Sequence, residues 1–128
     1  MTYHFTTTLD KPFDDAIEFV TAALKEKGFG VLTTIDVKAA MKEKLDKDIN
    51  PYTILGACNP GFAYKALQHE NKIGTMLPCN VVVQKTDDGT IEVSAVDPVA
   101  SMQAIENPDL GAVATEVRGM LKDVIDTL

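Results

Sequence analysis

The chain has 128 residues, is 45% hydrophobic and 24% charged, and carries a net charge of −7 at pH 7. That length fits a single domain, residues 1–128, able to bury a core without staples. The acidic balance argues against a nucleic-acid partner, because phosphate binding needs a basic patch. The opening MTYHFTTTLD has no basic stretch leading into an apolar one, so no leader is expected. No apolar run reaches the length of a membrane span, so no membrane partner is expected either. Two cysteines are too few for a small secreted disulfide framework, and a cytoplasmic location with reduced thiols is the expectation.

In chain order, Tyr3, Phe5, Thr7 and Leu9 alternate with His4, Thr6 and Thr8, which predicts a half-buried strand. Phe13, Ala16, Ile17, Val20, Ala23 and Leu24 form a helical stripe, with Pro12 suited to its first turn and Gly28 to its stop. Val31 to Ile35 reads as a second strand. Asp36 is placed to cap a short helix with Val37, Ala40, Met41 and Leu45 on its apolar side. The run KEKLDKD, Lys42 to Asp48, reads as a solvated helix face and its exit.

Tyr52 to Ala57 is a continuous apolar run of strand length, followed by a helix carrying Phe62, Ala63, Ala66 and Leu67. Asn80 to Thr86 and Thr90 to Val96 flank Asp87-Asp88-Gly89, a hairpin signal. A short helix is expected after Asp97-Pro98. Apolar residues from Leu110 to Leu128 then recur at three and four and mark a long helix. Asn59-Pro60, Asp97-Pro98 and Asn107-Pro108 repeat one device: a capping side chain before a proline that has no N–H to leave unpaired. Together these elements predict an α/β (α+β) two-layer sandwich of about five mixed strands, including a C-terminal hairpin, with helices packed on one face. The other sheet face is mixed in character and is the expected surface of a homodimer.

Chemistry narrows to the cysteines. Cys58 ends a buried strand just before the cap Asn59, where a helix start favours an anion or a thiolate. A helix terminus is worth about 0.3–1 kcal/mol, which lowers a thiol pKa by less than one unit of about 1.36 kcal/mol. Strong activation therefore needs a cation, for which Lys65 and Lys38 are the weak candidates. Cys79 begins another strand in LPCN. If the two segments meet, Asn59 and Asn80 would flank a dithiol. An antiparallel arrangement would bring the sulfurs together, and a tight parallel crossover would separate them. The ordinary alternative is that each cysteine is a small buried hydrophobe. The only Cys and His residues, His4, Cys58, His69 and Cys79, match no zinc spacing, and no metal or cofactor is expected. Met41, Met76, Met102 and Met120 read as core filler. No Walker-A loop, G-x-G-x-x-G or G-x-S-x-G is present, so no catalytic role is assigned.

The ordered motifs GFGVLTTIDVKAAMKEKL, YTILGACNPGFAYKAL, LPCNVVVQ and VSAVDPVASM resemble the domain of unknown function 302 family over nearly the whole chain. The resemblance implies a small two-layer α/β protein, often a dimer, with no activity established for the family. Its GAC-P, LPC and DP elements fall here on Gly56, Ala57, Cys58 and Pro60, on Leu77, Pro78 and Cys79, and on Asp97 and Pro98. The candidate site is thus Cys58, Asn59, Pro60, Pro78, Cys79, Asn80 and Asp97. The leading functional expectation is a non-catalytic binding or regulatory domain for a small, anionic ligand. The alternatives are a thiol-based redox or sulfur-carrier protein using Cys58 and Cys79, and a purely structural or protein-interaction module.

Overall fold

The computed structural model describes residues 2–128, so Met1 of the opening stretch lies outside it. Five strands make one sheet: β1 (His4–Leu9), β2 (Gly30–Asp36), β3 (Tyr52–Cys58), β4 (Cys79–Lys85) and β5 (Ile91–Val96). Their order is β1-β5-β4-β3-β2, and every neighbouring pair is antiparallel. The two layers and five strands are as expected, but the mixed sheet is not. The reason lies between β3 and β4. The helix inserted there does not carry the chain across the sheet as a parallel crossover would; it returns it to the neighbouring position, as a hairpin does.

Alternation along the strands sets the inner face. Thr53, Leu55 and Ala57 stand opposite Val83, Val81 and Cys79, and Val93 and Ala95 continue the row on β5. All of these are buried. Against them pack α1 (Phe13–Glu26), through Ala16, Val20 and Leu24, and α5 (Pro108–Thr127), through Val117, Leu121, Val124 and Ile125. A second, smaller cluster of Ala66, Ile73 and Leu110 joins α3 (Pro60–His69), a 3-10 turn at Ile73–Met76 and the start of α5. Val113 packs on both clusters and links them.

The helix ends follow the sequence closely. Asn59, Asp97 and Asn107 each accept a backbone N–H of the helix they precede, at 3.2, 2.9 and 3.1 Å. Pro12 is the capping residue of α1 rather than part of its first turn, and its carbonyl accepts the Ala16 N–H at 2.9 Å. Gly28 takes φ +86, which lets the Phe29 N–H reach back to the Leu24 carbonyl at 2.9 Å and turns Phe29 into the core.

The short helix α2 (Val37–Leu45) differs from its expected stripe. Asp36 caps it at 2.9 Å, yet none of its residues is buried, and Leu45 is 62% exposed. The helix sits in the β2–β3 connection beside the edge strand β2, and it packs chiefly on β3. Lys42 pairs there with Asp46 at 2.8 Å, as a solvated face should.

Candidate functional site

Antiparallel pairing puts the end of β3, the start of β4 and the end of β5 at one end of the sheet. Ala57 stands opposite Cys79 in the ladder, and Cys58 is one residue further on, opposite Gly30 of β2. The two cysteines, 21 residues apart in sequence, thereby come to neighbouring positions. Both line a single cavity between the sheet end, α3 and α5, together with Phe29, Phe62, Leu77 and Met102. The cavity holds about 30 Å³, room for roughly one or two water molecules. Its walls are almost wholly apolar, and it lies along the seam where the two core clusters meet.

The thiols do not behave as the helix start alone would have them. Burial pushes the Cys58 thiol up. Burial, with the nearby Cys58 charge adding to it, pushes Cys79 up to about 11. Desolvation outweighs the field of the helix terminus, which is limited to a fraction of a unit at exposed sites. Neither proposed cation helps. Lys38 donates to the Ile49 carbonyl at 2.6 Å, at the opposite end of β2 from Gly30 and Cys58. Lys65 lies over the Phe62 ring at 5.2 Å. Both sulfurs are therefore neutral thiols near pH 7.

The other candidate residues separate. Asn59 stays at the cavity, where its Oδ1 accepts the Phe62 N–H and its amide nitrogen lies against Gly28. Pro60 opens α3 and is exposed. Pro78 packs over Gly56. Asn80 pairs with Gly56, is exposed, and lines a groove on the open sheet face with His4, Tyr52 and Val82. A dithiol between two amides is thus not formed, because adjacent residues of a strand face opposite sides of the sheet. Asp97 is at the same sheet end but already engaged. One oxygen caps α4 (Pro98–Ser101) and the other accepts from Arg118 Nε at 3.0 Å.

Arg118 and Met102 had no place among the candidates. Arg118 is the only arginine in the chain, and it stacks over Phe5 at 5.0 Å while it pairs with the buried Asp97. That rarity was the one signal available. Met102 carries none, since a methionine among apolar residues reads as filler. The paper zinc set does not assemble. Among the described residues no three His, Cys, Asp or Glu side chains group as metal ligands. His4 instead bonds Thr6 on the open face at 2.6 Å, and His69 lies at the last turn of α3, 3.7 Å from Asp109.

A family model described as "Domain of unknown function DUF302" matches residues 5–128. Among solved structures, the chain is similar to the crystal structure of an uncharacterized conserved DUF302 protein from Bacillus stearothermophilus. The two are 28% identical, with a TM-score of 0.91 over 98% of each chain. No curated protein matches the chain. Among the described residues no helix is long and apolar enough to cross a membrane.

Proposed function

The chain belongs to the DUF302 family, and we propose that this member is a non-catalytic binding domain whose ligand enters the cavity shared by Cys58 and Cys79. One observation carries the reading: the fold gathers both cysteines of the chain at a single apolar cavity. A ligand for it is small and apolar or soft rather than anionic. The walls offer no cation, and the thiols are neutral. At about 30 Å³ the cavity must widen to admit anything larger than one or two waters, by movement of α3 against α5.

The test is a thermal-shift series on the whole chain. A ligand present at 100 times its Kd adds about 2.7 kcal/mol of stability. Ala114 of α5 also lines the cavity, and a compound that stabilises the native chain, and not a variant with the cavity filled by Ala114→Leu, supports the reading. Equal stabilisation of both proteins places binding elsewhere and removes it.

The thiol reading keeps one favourable observation. Strands about 4.5–5.5 Å apart with a rise of about 3.4 Å place the Cys58 and Cys79 Cα atoms roughly 6 Å apart, although alternation directs the two side chains to opposite faces, so a disulfide between them needs the end of β3 to turn. Resistance of both thiols to peroxide in the folded chain would end it. A homodimer through the open sheet face is the accompanying proposal, supported by the unpacked groove around Tyr52 and Val82. Val82→Glu would convert such a dimer to a monomer in sedimentation. A monomeric native chain would dismiss the dimer.

A further inference from the structure

We propose that the groove on the open sheet face is a second binding site, for a neutral polyhydroxylated compound of the sugar kind. It holds about 370 Å³, against about 30 Å³ for the apolar cavity, and so is on the scale of a ligand pocket. The strand register places its walls. Tyr52, Gln84, Glu92 and Thr8 stand in one row across β3, β4, β5 and β1. Ile35, Ile54, Val82, Ser94 and Thr6 make the next row, which begins on β2. That row is apolar from β2 to β4 and polar on β5 and β1. The groove lies over β4 and β5, between Tyr52 of β3 and Tyr3 just before β1. A second copy seated on Ile35 and Ile54 would therefore leave it open.

The side chains in the groove select the chemistry of the ligand. Asn80, Gln84, Glu92 and Ser94 line it, and none of them is buried. Gln84 and Glu92 meet only at 3.5 Å, too long to satisfy either group. Ser94 bonds Thr6 at 2.8 Å and Thr6 bonds His4 Nδ1 at 2.6 Å, a chain of polar atoms that orients the His4 ring at the β1 side. Each amide presents donors and an acceptor, the serine hydroxyl presents both, and the carboxylate accepts. The hydroxyls of a sugar interleave donors and acceptors in the same way. An apolar ligand would strip these groups of water and leave them unpaired. An anion would find no lysine or arginine in the lining and one carboxylate against it. Tyr3, 68% exposed, and Tyr52 add ring faces on which the C–H side of a sugar ring packs. His4 braces Tyr3 edge-on, with the ring centroids 4.9 Å apart.

The experiment titrates the isotope-labelled full chain, by heteronuclear NMR, with ribose, glucose, maltose and N-acetylglucosamine. Spermidine and pyrophosphate serve as charged counterparts. At least one sugar is expected to give saturable shifts at Asn80, Gln84, Glu92 and Ser94, and pyrophosphate none. Asn80→Ala and Glu92→Gln each take away one polar partner and should weaken the sugar by about fivefold or more. Tyr64→Ala, which removes a similarly exposed tyrosine from α3, should leave the affinity unchanged. The rest of each spectrum reports whether the variant is folded. Saturable shifts with spermidine alone make the groove an amine site and overturn the proposal. No saturation with any of the sugars, or native affinity in both groove variants, overturns it too. Shifts gathered instead at Phe62, Leu77 and Val113 place binding at the apolar cavity and remove the groove site. The cavity reading stands or falls separately, by its own thermal-shift test.

Discussion

Pro78 occupies the space above Gly56: a Cβ placed on Gly56 would come within 2.7 Å of Pro78 Cγ and would also meet the Thr33 hydroxyl. Two motifs far apart in sequence, GAC and LPC, are thus two halves of one contact. The strand period explains the rest of LPC. Leu77 and Cys79 line the cavity, and Pro78 between them packs on the glycine.

Gly56→Ala is expected to destabilise the fold by about 1–3 kcal/mol, the usual range for overpacking a close contact. Pro78→Ala in the same chain should recover part of that loss, since the two residues share one space. Urea unfolding of the single and double variants measures the coupling. Strict additivity would show that the ring yields without cost.

Native alkylation should be slow at both cysteines near pH 7. Cys58, half-buried, should label before Cys79, and Cys79 should require a pH approaching 11 or unfolding. Mass spectrometry of the labelled chain reads the order. Fast labelling of Cys79 at neutral pH would contradict its burial.

The same thiol ties stability to pH. The folded pKa of Cys79 is raised from 9.0 to about 11, so the unfolded chain loses its proton first. Its contribution is whole below pH 9 and declines as pH rises through 11. The full span is about 2–3 kcal/mol. Denaturation midpoints at pH 8 and pH 11, compared between the native chain and Cys79→Ala, isolate this share; an equal fall in both assigns it to other groups.

Asp97→Ala removes the cap of α4 and the partner of Arg118 at once. The expected loss is about 2–4 kcal/mol, with the cap worth about 1 and the rest from the buried pair. Arg118→Met should cost less than the removal of a fully buried partner would, because the guanidinium is 41% exposed and solvent screens it. Chemical denaturation ranks the two. A larger loss at Arg118 would mean that stranding the buried Asp97 carboxylate, together with the lost packing on Phe5, outweighs the lost cap.

Much of this fold is legible in the sequence because its signals are local. The three Asn-Pro and Asp-Pro helix starts, the Asp-Asp-Gly turn and the stripe of α5 each rest on residues within one or two turns of one another. What escaped depends on long-range pairing. The β3–β4 neighbourhood is hidden behind α3, so chain order alone could not decide whether Cys58 and Cys79 meet. Arg118 finds Asp97 across 21 residues and two elements. The exposure of α2 goes with its place beside the edge strand β2, and no residue of α2 announces that. Asn80 is legible as an outward residue, since strand alternation turns it away from Cys79, so the repeated Cys-Asn pair does not form one site.

The β1–β5 pairing has a consequence for how this protein is made. His4 to Leu9 finds its sole strand partner in Ile91 to Val96. At synthesis rates of about 5–20 residues per second, β1 leaves the ribosome roughly 4–17 seconds before that partner is complete. During that interval β2, β3 and β4 emerge in the order in which they pair, while β1 carries Phe5 and Leu9 without a sheet to cover them. The growing chain is at its most open to mispairing then, and its N-terminal strand is the segment a chaperone would meet.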